Sequence, residues 1–201
     1  MRGYQSKFTL FLLFISLALF FSSFNKQVST CENTNDGYAI NWQNSLKLKQ
    51  SDFKANKKWS SSTSAANTYS GFGYSITDNN GNISGSIFVR FYCDKSWFNP
   101  DINEPDKINY LLKHEQLHFD ICELFGRKLY REVQVLIKKN KLNQKSINHA
   151  QSKLEKQYSD YQKAYDKETN HSINIAEQHK WDKKVKKELA KLSRYTDYKY
   201  F

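Results

Sequence analysis

Breakers are scarce in this chain: two prolines and seven glycines among 201 residues. So little punctuation excludes a chain chopped into short pieces and predicts long regular elements. Cysteine is scarce too, at three, an odd number that excludes complete pairing within one copy. Internal repeats are absent, and no recognisable nucleic-acid motif is present. Acidic residues are short as well, 20 against 31 Lys and Arg, for a net charge of +11 weighted to the Lys-rich second half. The bland reading of that charge is a solvated helical surface, and the sharper one an anionic envelope or polymer as partner. Nucleic acid is not an expected partner. What is plentiful is aromatic side chain, 15%, which argues against disorder and for a real core.

Arg2 and Lys7 precede an apolar run over residues 8–24. A positive start followed by such a run reads as a secretory signal, so residues 1–30 are expected to be a signal peptide or, since the run is close to spanning length, a membrane anchor. No good A-x-A site follows. Val28-Ser29-Thr30 before Cys31 makes a poor lipoprotein box because Thr is bulky for its position, yet attachment through Cys31 stays open. The expected location is therefore exported: periplasmic, envelope-attached or secreted. A Cys93–Cys122 bridge would tie a helix to a strand and leave Cys31 free; the alternative is three reduced thiols.

Residues 31–37 read as a polar linker and 38–201 as one domain. Its first part, 38–93, reads as strand and turn. Period-two fragments run through Trp42, Leu46, Leu48 and Phe53, a Ser-rich loop covers 57–67, and strands are expected at 69–77 and 83–92. Asp78-Asn79-Asn80-Gly81 between them is a strong hairpin turn, because Asn and Gly tolerate positive φ. Asn99-Pro100 and Glu104-Pro105 close this part. Over 106–193 the period becomes helical: Ile108, Leu111, Leu112, Leu117, Ile121, Leu124 and Phe125 recur at three and four. Further helices are predicted at 144–167 and from Asn174, where Asn174 and Glu177 resemble a capping box. The fold class is α+β, a small antiparallel sheet followed by about three helices.

The chemistry is concentrated in His114-Glu115-Gln116-Leu117-His118. Histidines four apart share a helix face and can point at one ion, for which Zn²⁺ is the usual occupant. Glu115 sits about 100° round the axis, beside the ligands, where it acts as general base on a water rather than as a ligand. Two exposed histidines near a solvated Glu are the bland alternative. A hydrolytic site also wants a third protein ligand. Ile121 and Leu124 occupy the positions where the extended metzincin pattern has Gly and His, which excludes that class. Asp120 and Glu123 project away from both histidines and read as structural. The segment 165–171 is read as a helix break rich in ligand-type side chains. His171 is the choice from it, with Glu168, Asp166 and Glu177 as alternatives; His149 and His179 read as surface residues.

Several stretches carry a resemblance: Trp42…Leu48…Ser51-Asp52-Phe53, Ala65-Ala66…Thr68, Ser96-Trp97, Leu111-Leu112-Lys113-His114-Glu115-Gln116-Leu117-His118-Phe119-Asp120, Tyr165-Asp166…Glu168-Thr169-Asn170-His171 and Gln178…Trp181. Together they resemble a bacterial domain-of-unknown-function family of predicted secreted zinc-dependent proteases, with a zincin-like active helix and an HEQxHFD core. The resemblance implies the zinc site and supports His171; the family pattern has Gly where this chain has Ser172. By analogy with zincins, residues 86–92 would form an edge strand receiving an extended peptide, and Tyr165 or Tyr161 would assist the oxyanion. The expected function is an exported zinc-dependent hydrolase, a peptidase acting on a peptide or protein substrate with Glu115 as base. The alternatives are a non-catalytic, zinc-stabilised envelope module binding an anionic partner, and a cell-wall amidase.

Overall fold

A computed structural model describes residues 31–56, 65–80, 82–198 and 200–201. The expected signal or anchor at 1–30, most of the Ser-rich loop and Gly81 of the expected turn lie outside these residues. The architecture is α+β, as the change of period predicts. Strands β1 (Glu32–Thr34), β2 (Gly37–Asn41), β4 (Ser70–Asn79) and β5 (Asn82–Tyr92) form an antiparallel sheet in the order β1-β2-β5-β4. Two short strands, β3 (Ala66–Asn67) and β6 (Trp97–Phe98), pair separately. Helices α1 (Pro105–Lys138), α2 (Gln144–Thr169) and α3 (Ile175–Lys191) follow. Among the described residues no helix is long and apolar enough to cross a membrane.

The β4–β5 hairpin turns where its composition demands. Asn79 pairs with Asn82, and Asn80 takes φ 55°, a left-handed conformation that Asn accepts more readily than most residues. Its apolar face receives α1. Phe91, Val89 and Ile87 on β5 are buried together with Phe119, Cys122, Phe125 and Leu129 of the helix. Gly126 allows this approach, since a Cβ there would stand 2.3 Å from Val89 Cγ2.

Four expectations are corrected. First, residues 42–53 are not a strand: they run as irregular chain with a single 3₁₀ turn at Gln50–Asp52, although Leu46, Leu48 and Phe53 are buried. The backbone there has partners other than a ladder, since the Leu48 amide donates to Gln116 Oε1 on α1 (2.8 Å). Second, 86–92 is not an edge. Strand β2 covers one side of β5 over 90–92, β4 runs along its other side, and the C-terminal tail bonds Gly85 and Ile87 through Phe201 and Tyr198. Third, the disulfide joins Cys31 to Cys93, with Cα atoms 6.4 Å apart, while Cys122 is a buried free thiol. The polar segment expected as a linker brings Cys31 to the sheet by forming β1, and a sulfur so bonded is not available for a lipid thioether. Fourth, the break is shorter than the 165–171 segment: α2, predicted over 144–167, runs on to Thr169, and three successive left-handed residues, Asn170, His171 and Ser172, make the turn into α3. Ser172 takes φ 75°, a conformation favouring the glycine of the family pattern. Asn174 caps α3 by accepting from the Glu177 amide (3.2 Å), the half of the expected box that forms.

Candidate metal centre

Helix α1 carries His114, Glu115 and His118 across its middle, and α2 packs alongside. On α2, Gln162, Tyr165, Asp166 and Thr169 are spaced by three and four, so they share the face turned to α1. Helix α3 adds Gln178 from its second turn. The three helices thus enclose the two imidazoles, of which His114 is buried (4% exposed).

The imidazoles meet through their Nε2 atoms, 3.2 Å apart. Asp166 Oδ1 lies 3.0 Å from His118 Nε2 and 3.4 Å from His114 Nε2. His114, His118 and Asp166 form the one cluster of metal-binding type among the described residues. The outer nitrogens are engaged elsewhere. His114 Nδ1 faces Gln178 Oε1 (3.0 Å), and His118 Nδ1 faces Gln162 Oε1 (2.6 Å). If each Nδ1 carries the proton, both Nε2 lone pairs face each other and the carboxylate. Three electron-pair donors converging with no hydrogen between them repel, and a cation or an added proton relieves that repulsion. The donor set, two imidazoles and one carboxylate, is of the kind catalytic zinc sites use. The residues present fit the metal.

The charges respond to one another in the same sense. Burial tends to lower the His118 pKa, but its bond to Asp166 and the nearby Glu115 charge prevail, and it is raised. Burial tends to raise Asp166, but the two imidazoles prevail and hold its carboxyl well below the usual carboxylate range.

Glu115 is buried at 4% exposure, and its Oε2 finds no hydrogen-bond partner among the described residues. Its backbone carbonyl accepts from Thr68 Oγ1 (3.2 Å), so the segment following β3 lies against this turn of the helix. A buried carboxylate oxygen without a protein partner is costly unless a water, an ion or a ligand meets it.

Tyr165, fully buried, stacks on His114 with ring centroids 4.7 Å apart. Its hydroxyl contacts His114 Nδ1 (2.8 Å) and Gln178 Oε1 (2.7 Å), on the side of the ring away from Nε2. Burial pushes its pKa up, so it stays un-ionised. Tyr161 donates to Glu188 (2.9 Å). Both tyrosines suggested as oxyanion helpers are therefore occupied with other partners.

Of the candidates for third ligand, the fold brings Asp166 to the histidines. His171 stands outside the cluster, its Nδ1 3.9 Å from Asp166 Oδ1 and its side chain 70% exposed. Glu168 accepts from Trp181 Nε1 (2.8 Å), and Glu177 pairs with Lys180 (2.6 Å). Asp120 accepts from Trp42 Nε1 and Gln116 Nε2, both at 2.9 Å, and Glu123 binds Arg127, so both serve structure as their helical angles imply. Gln162 was missed in the sequence, where its spacing from Tyr165 and Asp166 was the available signal, and Gln178 entered only through the resemblance, with no role given to it. A cleft of about 1250 Å³ lies on the opposite side of α1, lined by Trp42, Gln116, Asp120, Asp182 and Val185. It does not include the histidine pair or Glu115, and the chemistry argues for the helix-enclosed cluster as the site.

No curated protein and no solved structure matches the chain. Residues 106–172, a span containing His114, Glu115, His118, Asp166 and His171, match a family described as "Bacterial protein of unknown function (DUF922)".

Proposed function

We propose that the chain is an exported zinc-dependent hydrolase that cleaves peptide bonds. The observation that carries this reading is the unpartnered, buried Glu115 Oε2 beside a His114–His118–Asp166 donor set. Zn²⁺, when bound, supplies a Lewis acid that makes a water acidic near neutral pH. His114 and His118 hold it from α1, and Asp166 completes the set from α2 in place of the more exposed His171. Glu115 accepts the proton of the attacking water and delivers it to the departing amine, so base and acid are the same carboxyl at successive moments. Its burial keeps it free of competing donors.

Export is supported by the charged-then-apolar N-terminus and by the Cys31–Cys93 bridge, which suits an oxidising compartment. Protein lacking residues 1–30 is expected to hold about one zinc per chain and to hydrolyse a mixed peptide library. Glu115→Gln should keep the metal and lose turnover. Undiminished turnover in that variant rules out the mechanism, and turnover of peptidoglycan fragments in place of peptides assigns the amidase chemistry. Metal binding without hydrolysis of either assigns the non-catalytic envelope module.

A further inference from the structure

The two glutamines behind the histidines are built alike. Gln162 Oε1 faces His118 Nδ1 (2.6 Å), while its Nε2 donates to the His118 backbone carbonyl (3.0 Å). Gln178 Oε1 faces His114 Nδ1 (3.0 Å), while its Nε2 donates to Asp182 Oδ1 (2.9 Å). In each case the far end of the amide meets a group that only accepts. That fixes which end is nitrogen, so the end turned to the imidazole is oxygen. The Tyr165 hydroxyl agrees with this: it donates to Gln178 Oε1 at 2.7 Å and so is left to accept from His114 Nδ1 at 2.8 Å.

From this we propose that Gln162 and Gln178 are positioning residues which lock both histidines in the Nδ1–H tautomer, so that both Nε2 lone pairs are presented to the metal. The inference rests on the metal reading above and adds the device that orients the ligands. Glutamine is required at both places rather than glutamate. A carboxylate at 162 would set an oxygen against the His118 carbonyl, and one at 178 would set an oxygen against Asp182. The amide orients each imidazole as a neutral ligand without adding negative charge behind the metal. Such outer partners commonly control metal affinity by 10- to 100-fold.

Two measurements on the full chain test this. The first needs no metal: ¹⁵N–¹H spectra of the imidazoles in the metal-free protein, recorded at rising pH until the ring shifts stop changing. Both histidines should appear as Nδ1–H, and Gln162→Met or Gln178→Met should move its own histidine towards a mixture. An Nε2–H tautomer for both in the wild type overturns the proposal. The second is titration with Zn²⁺ under a competing chelator. Each Met variant should bind about 10- to 100-fold more weakly, at an unchanged circular dichroism spectrum. Wild-type affinity in both variants would also overturn it. A wild type that binds no Zn²⁺ yet shows two Nδ1–H imidazoles removes the metal reading and leaves the tautomer lock standing. The two ideas therefore fail separately.

Discussion

Helix α1 carries two buried clusters, and each contains a glutamate. At Glu123 the carboxylate is fully answered: Oε1 accepts from Arg127 Nε (2.7 Å) and Oε2 from the Tyr198 hydroxyl (2.5 Å). Arg127 in turn donates to the Leu189 carbonyl (2.9 Å), so this cluster ties α1 to α3 and to the C-terminal tail. At Glu115, about two turns earlier, Oε2 finds no partner among the described residues, and two imidazoles beside it present Nε2 to one point. Burial alone does not separate the two, since both glutamates are under 5% exposed. Saturation does. A buried acid whose bonds are complete holds the fold together, whereas one left open beside converging donors leaves an oxygen for a water, an ion or a ligand to meet.

The comparison breaks most visibly through the donor set. Asp166→Ala or His118→Ala should lower bound zinc from about one per chain to a small residue, read by atomic emission after dialysis, with hydrolysis lost in parallel. If His171→Ala empties the site while Asp166→Ala leaves it filled, the third ligand has been assigned to the wrong residue. Next in size is Glu115→Gln, for which loss of a general base predicts roughly 10²- to 10⁴-fold slower turnover at unchanged zinc content. Its counterpart at the closed cluster is Glu123→Leu. That change strands Arg127 in the interior and should cost about 3–5 kcal/mol in chemical denaturation, as removal of one partner from a buried pair does. If Glu123→Leu kept its stability and lost zinc, the division between the clusters would collapse.

The smallest effect concerns pH. In the metal-free protein His118 has a raised pKa, so its pairing with Asp166 stabilises the fold fully below the ordinary value of 6.5. That contribution is lost as pH rises through the folded value. Saturating zinc reverses the trend, because the metal binds only the deprotonated ring. Thermal melts between pH 5.5 and 8, with chelator and then with zinc, should therefore slope in opposite directions. Parallel slopes would show that the histidines do not share an ion.

Much of this organisation could be read in the chain. The Asn-Gly turn between two alternating segments predicted the β4–β5 hairpin, and the three-and-four recurrence from Ile108 onward predicted α1. The end of α2 was read two residues early, at 167, because the left-handed Asn170-His171-Ser172 turn carries no glycine to mark it. The sequence left the disulfide open, and the pairing it offered, Cys93–Cys122, is not the one formed, because spacing along the chain does not show which strands lie side by side. For Leu46 and Leu48 the alternation of burial was real, but a glutamine side chain of α1 replaces the strand partner at Leu48, and Phe53 packs on Phe91 and Phe98.

What the sequence determined by itself is local. Two histidines four residues apart on a helix must share a face, and Glu115 between them must stand to one side, because 100° per residue allows nothing else. What only the tertiary structure decided is which distant groups join them. Asp166, Gln162 and Gln178 reach histidines 44 to 64 residues away in the chain because α2 and α3 dock on α1, and that docking is set by packed side chains. Helical geometry specifies where a side chain points; the choice of what it points at belongs to the fold.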